Sequence, residues 1–246
     1  MIYLLYIFFG LAPSIIWLLF YLRKDSHPES NQMILKIFFY GMLAAIPAAL
    51  IEMGIFETFN KLTPLISKWM GINFSSILVT ILNIFIGVAL IEEILKYLVV
   101  KEKVLNNPEF DEPLDAMLYM IIAALGFAAV ENVLILFSLV PTFLIGEALA
   151  IISFRFVGAT FLHALCSGLV GYFLALSFLK TRRRTELILM GLGIAIVLHG
   201  LYNFSIMVMK EEVRLIIPII ILTGLAVAIS FGFKKLKKMA SVCKIH

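Results

Sequence analysis

The sequence predicts an all-α, polytopic membrane protein: a bundle of about seven transmembrane helices. Three observations predict it. Of the 246 residues 62% are hydrophobic and 15% charged, with a mean hydropathy of +1.06, whereas soluble domains are roughly 45–50% apolar and about 25% charged. Apolar stretches of about 20 residues, the length a bilayer requires, recur along the chain. The basic residues gather between those stretches and at the C-terminal end, as topology signals do.

Taken in order, the spans run over about Ile2–Leu22, Ile34–Met53, Ile77–Val100, Leu114–Phe137, Ile151–Leu179, Leu187–Met209 and Leu215–Phe233. The first has no charged side chain before Phe20 and no small-residue cleavage site, so it reads as a retained span. Pro13, Pro47 and Pro218 fall within spans, where neighbouring helices can satisfy the freed carbonyls. The segment Ser138–Ala150 either extends the fifth span or lies along the interface. No internal repeat or low-complexity tract divides the chain, so residues 1–246 read as one transmembrane domain.

Lys and Arg orient the bundle. With the N-terminus outside, the cytoplasmic segments hold Arg23, Lys24, Lys36, Lys101, Lys103, Lys180, Arg182, Arg183, Arg184, Lys234, Lys235, Lys237, Lys238 and Lys244. The outer segments hold only Lys61, Lys68, Lys210 and Arg214. This asymmetry predicts N-out, C-in. It accounts for the net charge of +4 without nucleic acid; attraction to anionic lipid follows from it instead.

Within the spans remain Glu92, Glu93, Lys96, Glu131, Arg155, His163 and His199. At about 3 kcal/mol for each of the five that are normally charged, leaving them in lipid would cost on the order of 15 kcal/mol. They are therefore expected to face one another, or a wet cavity, across the third to sixth spans. Glu92 and Lys96 are an i,i+4 pair with the acid first, the favourable order. Lys96 is expected to neutralise one acid and leave the other, about 100° round the helix, as a candidate base. Glu131 lies among small residues, with Ala124 and Ala128 on its face, and Arg155 is its natural partner. His163, Ser167 and Gly171 form one stripe, read as room for a water or substrate; His199 and Asn203 are again i,i+4.

Such a set supports specific chemistry. A carboxylate can take a proton from water, and two imidazoles can stabilise an oxyanion. Alternatively, His163, His199 and Glu93 match a catalytic zinc ligand set with an open position. Amides such as Asn203 can orient either arrangement. Cys166 is a poor nucleophile, because apolar surroundings resist thiolate formation. Neither Cys166 nor Cys243 has the spacing of a zinc ribbon or a disulfide framework.

Four ordered blocks, Glu92-Glu93-x-x-Lys96, Phe127-x-x-x-Glu131-Asn132, His163-x-x-x-Ser167-Gly168 and His199-x-x-x-Asn203, resemble the PrsW family of bacterial and archaeal intramembrane proteases, within the wider group of CAAX prenyl endopeptidases and CPBP/ABI membrane proteins. Arg155 also stands where PrsW-like chains tend to carry an arginine. The blocks cover about Ile77–Phe204. The resemblance implies a multi-pass plasma-membrane endopeptidase that cuts a membrane-tethered protein, the founding case being an anti-sigma factor in envelope-stress signalling. It makes Glu92, Glu93 and His163 the first candidates for essential residues, with Glu131, His199 and Asn203 next. It leaves zinc-dependent and glutamate-type mechanisms both open, and no HExxH signature is present.

Two other classes compete. Buried Glu, Lys and His also build proton relays, so a proton-coupled transporter is an alternative, although matching broken helices in two related halves are missing. A non-catalytic membrane scaffold is the other. One difficulty concerns depth. Glu92 and Glu93 lie roughly 12 Å from the end of their span, but Glu131 lies roughly 25 Å from the start of its own.

Overall fold

A computed structural model describes residues 2–25, 28–71, 75–139 and 145–240. Among the described residues, seven helical segments are long and apolar enough to cross a membrane, as expected. Helix α1 is Ile2–Leu22 and α2 is Asn31–Met70. Next comes one continuous helical rod made of α3 (Ser76–Leu82), a π-helical segment (Asn83–Leu90) and α4 (Ile91–Lys103). Then follow α5 (Pro113–Leu139), α6 (Ile145–Val157), α7 (Ala159–Leu179), α8 (Arg184–Val208), the single turn α9 (Glu211–Arg214) and α10 (Ile216–Ala240). Cys243 and Lys244 lie outside the described residues.

One boundary differs from the sequence expectation, and one that was left open is decided. The second span was expected to end at Met53, but α2 continues to Met70, stopping at Gly71 in the left-handed region (φ 65°). At its start the Ser30 Oγ caps the helix by accepting from the Met33 amide at 3.1 Å. Its 40 residues span about 60 Å, twice the roughly 30 Å of hydrocarbon, so one half must leave the apolar layer. Lys61 therefore sits on a helix, paired with Glu57 at 2.6 Å, and not in a loop. The fifth span follows the longer of its two readings: α6 starts at Ile145, and the helix is interrupted at Gly158 before α7 begins. Ser138 ends up in α5, and 145–150 extends the fifth span; 140–144 lies outside the described residues.

Helix α5 is the axis of the bundle. Every residue from Pro113 to Ala129 is buried, and α1, α2, α4, α6, α7 and α10 all pack on it. Its stretch from Ala116 to Val130 carries no charged side chain and is apolar all round, as a central helix should be, with the polar Glu131 and Asn132 following at its far end. Small residues let its neighbours approach: a Cβ on Gly126 would lie 2.0 Å from the Phe38 carbonyl oxygen of α2. Membrane helices, lacking a hydrophobic drive toward one another, associate through such close backbone contact.

Candidate active site

Site residues come from α4, α5, α6, α7 and α8. The π segment sits immediately before Glu92 and Glu93, and its wider turns set the rotation at which α4 leaves it. Because Glu92 and Glu93 differ by about 100°, they face different helices. Glu92 turns toward α7, where its Oε2 is 3.5 Å from His163 Nδ1. Glu93 turns toward α8, and its Oε1 is 2.9 Å from His199 Nδ1. Close approach fixes α8 here: a Cβ on Gly200 would lie 2.5 Å from the Phe85 ring of the π segment.

Lys96 does not divide the acids as expected. Its Nζ donates to Glu92 Oε2 at 3.0 Å and to Glu93 Oε1 at 2.9 Å, and it lies 2.7 Å from His163 Nδ1. All three ammonium protons are thereby used. The Phe127 ring closes the remaining side at 4.6 Å. Lys96 and Glu93 are wholly buried, and Glu92 nearly so.

The proton positions follow from these partners. An ammonium can only donate, so His163 Nδ1 accepts, and Nε2–H donates to Glu131 Oε2 at 2.7 Å. His199 Nδ1–H donates to Glu93 Oε1, which leaves the His199 Nε2 lone pair facing Glu92 Oε2 at 3.9 Å. The two rings meet edge to face at 5.1 Å. Glu93 is fully engaged, since its Oε2 also accepts from Ser167 Oγ at 3.3 Å. Glu92 keeps Oε1 without a hydrogen-bond partner among the described residues.

Ligand atoms of Glu92, Glu93, His163 and His199 all lie within 4.8 Å of one another. Separations of 3.5 and 3.9 Å from Glu92 Oε2 to His163 Nδ1 and His199 Nε2 are close to the roughly 3.3–3.6 Å edges of a tetrahedral zinc site with bonds of about 2.0–2.2 Å. The donor types and spacing therefore fit a divalent cation; the Lys96 ammonium lies against two of these donors, Glu92 Oε2 and His163 Nδ1.

The comparisons agree with this geometry. The family description "PrsW family intramembrane metalloprotease" matches residues 29–231. The chain belongs to the PrsW family. Similar proteins named "Protease PrsW" occur in Oceanobacillus iheyensis (26% identical over 213 residues, 87% of this chain and 88% of that protein), Bacillus subtilis (26% over 235 residues, 95% and 94%) and Geobacillus kaustophilus (27% over 199 residues, 80% and 78%). No solved structure matches. The protein is thus a multi-pass PrsW-family membrane protease.

In this PrsW chain Glu131 is not remote. It joins His163 to Arg155, whose guanidinium is 3.1 Å from Glu131 Oε1. The depth mismatch is absorbed because α4 runs past Val100 to Lys103 and segment 104–112 continues before α5 begins. Asn203 makes no hydrogen bond among the described residues. The stripe below His163 is not a cavity, since a Cβ on Gly171 would lie 2.5 Å from the Met117 backbone.

Three contributors were not singled out for a site role. Asn132 accepts from Arg155 Nε at 2.6 Å and donates to Thr160 Oγ1 at 3.0 Å, so it sets the cation beside Glu131. Phe127 shields Lys96. Both lie in the block quoted around Glu131. Glu52, half-buried on α2, lies in the field of Glu92, Glu131 and Lys96. It sits between Ala48, which packs with α4 and α5, and Ile55, whose methyl lies 3.4 Å from a Cβ on Gly87. Glu52 lies one residue inside the Met53 end expected for the second span, where a lone acid carries no site signal.

Proposed function

We propose that the cluster hydrolyses a peptide bond of a membrane-tethered protein, with Glu92 as the carboxylate that takes the proton from water. The observation that carries this reading is the division of labour between the acids: Glu93 and Glu131 each hold one imidazole from behind, while Glu92 keeps an open oxygen. Carboxylates behind histidines fix their tautomers and aim their lone pairs. Those lone pairs lie 3.5 and 3.9 Å from Glu92 Oε2, so His163, His199 and Glu92 are the proposed ligands of a divalent metal, zinc being the proposed ion. Glu93, a ligand candidate on sequence alone, is assigned to orient His199. When bound there, such an ion polarises the scissile carbonyl and acidifies water.

The chain's own residues do the rest. Glu92 Oε1 accepts the water proton as oxygen attacks the carbonyl carbon, then returns it to the amine as the C–N bond breaks. The buried helices around Lys96 exclude other water. Glu131 and Arg155, with side chains 29% and 17% exposed, form the edge by which an unwound substrate segment reaches Glu92. Lys and Arg placement supports an N-out, C-in orientation. The family resemblance supports an anti-sigma factor as the substrate.

Reconstituted protein tests the reading with a single-span tethered substrate. The native chain is expected to cleave it, and His163→Ala, shown to be inserted and folded, to cleave it at least about a hundredfold more slowly. Undiminished cleavage by His163→Ala removes the site from the chemistry.

A further inference from the structure

Away from the cluster, the flank of α10 carries two adjoining grooves, of about 640 Å³ on its α1 side and about 700 Å³ on the other. We propose that this flank binds one anionic phospholipid, with acyl chain on an aromatic floor and phosphate held by lysines. The floor is built: Trp17 stacks on Phe161 at 4.2 Å, and its Nε1–H donates to the Phe156 carbonyl at 2.9 Å. The grooves share Phe161, Ala226, Ser230 and Lys234, so two chains can diverge from one headgroup.

All the charge lies at one end. Lys24, Lys234 and Lys237 line the α1-side groove, are exposed, and have no carboxylate partner among the described residues. Along the walls the groove runs from Lys24 back to Ile16 and from Lys237 back to Ala226, or about 12 and 16 Å. The α1-side groove thus has the depth of one leaflet, half of the roughly 30 Å hydrocarbon layer, while the second runs from Lys234 back to Ile219, about 22 Å. Neither groove reaches the full depth that a transmembrane substrate helix would need, whereas an acyl chain fits within either. Basic pockets between transmembrane helices select anionic headgroups.

Trp17 reports the site directly. The chain has two tryptophans, so Trp69→Phe leaves Trp17 as sole emitter. It is reconstituted into phosphatidylcholine vesicles in which a minor fraction is brominated, either as phosphatidylglycerol or as phosphatidylcholine. Brominated phosphatidylglycerol is expected to quench Trp17 at about a tenfold lower mole fraction. The preference should vanish when Lys24, Lys234 and Lys237 are all changed to Gln. It should vanish too in Ser230→Phe, which fills the groove and keeps the lysines. Equal quenching by the two lipids overturns the proposal. So does a preference that survives Ser230→Phe, which assigns it to surface charge alone, or one that survives the triple change.

Discussion

Lys96 holds the point where the site helices meet, and its buried ammonium answers both glutamates and one histidine. Removing one partner of a buried ion pair costs about 3–5 kcal/mol, because the remaining charge is left without compensation. Lys96→Met is therefore expected to lower metal-free stability by that amount in thermal unfolding, and zinc is expected to restore most of it, since the ion would supply positive charge to Glu92 and His163 in place of the ammonium. A variant equally stable with and without zinc contradicts this placement. The Glu92–Lys96 pair was legible because i,i+4 spacing lies within one helix. The reach of Lys96 to Glu93 and His163 was not, because it depends on the side-chain rotamer and on where α7 sits.

At the scale of elements, the π segment and Gly200 set the spacing of α4 and α8. Any side chain at 200 pushes on Phe85, and His199 moves with it. A displacement of about 1 Å in such a site costs on the order of a hundredfold in rate. Gly200→Ala is expected to lose that much cleavage, and Phe85→Leu in the same chain to recover part by making room. Failure of the second change to help would place the defect elsewhere. The spans were legible from apolar runs of membrane length. The far half of α2 was not, since Glu57, Lys61 and Lys68 read as a loop although no glycine interrupts the helix between Gly54 and Gly71. Nothing in composition marks a π segment, whose bonding is a matter of local geometry.

For the whole molecule, convergence was legible as a necessity: so many ionisable groups in lipid require one another. Which group faces which was not, because it is set by helix rotation and packing. Beyond the spans, stability carries a pH signature. Glu29 accepts from the Tyr119 hydroxyl at 2.5 Å, and burial, assisted by the nearby Asp25 and Asp111 charges, raises its carboxyl above the usual carboxylate range. The folded state thus holds this proton more tightly than the unfolded one. The stabilisation is complete below the ordinary carboxylate value of about 4.3 and is lost as pH rises through the raised value. Thermal unfolding of Glu29→Gln is expected to show a shallower decline over that window; an unchanged slope contradicts it.

The central claim is that Glu92 works on water while Glu93 orients His199. Cleavage of a tethered substrate by Glu92→Gln and Glu93→Gln, measured side by side in inserted, folded protein, tests it most directly. The account predicts a loss of about 10²–10⁴-fold for Glu92→Gln and a smaller loss, about 10–100-fold, for Glu93→Gln. Cleavage retained by Glu92→Gln and abolished in Glu93→Gln would contradict it.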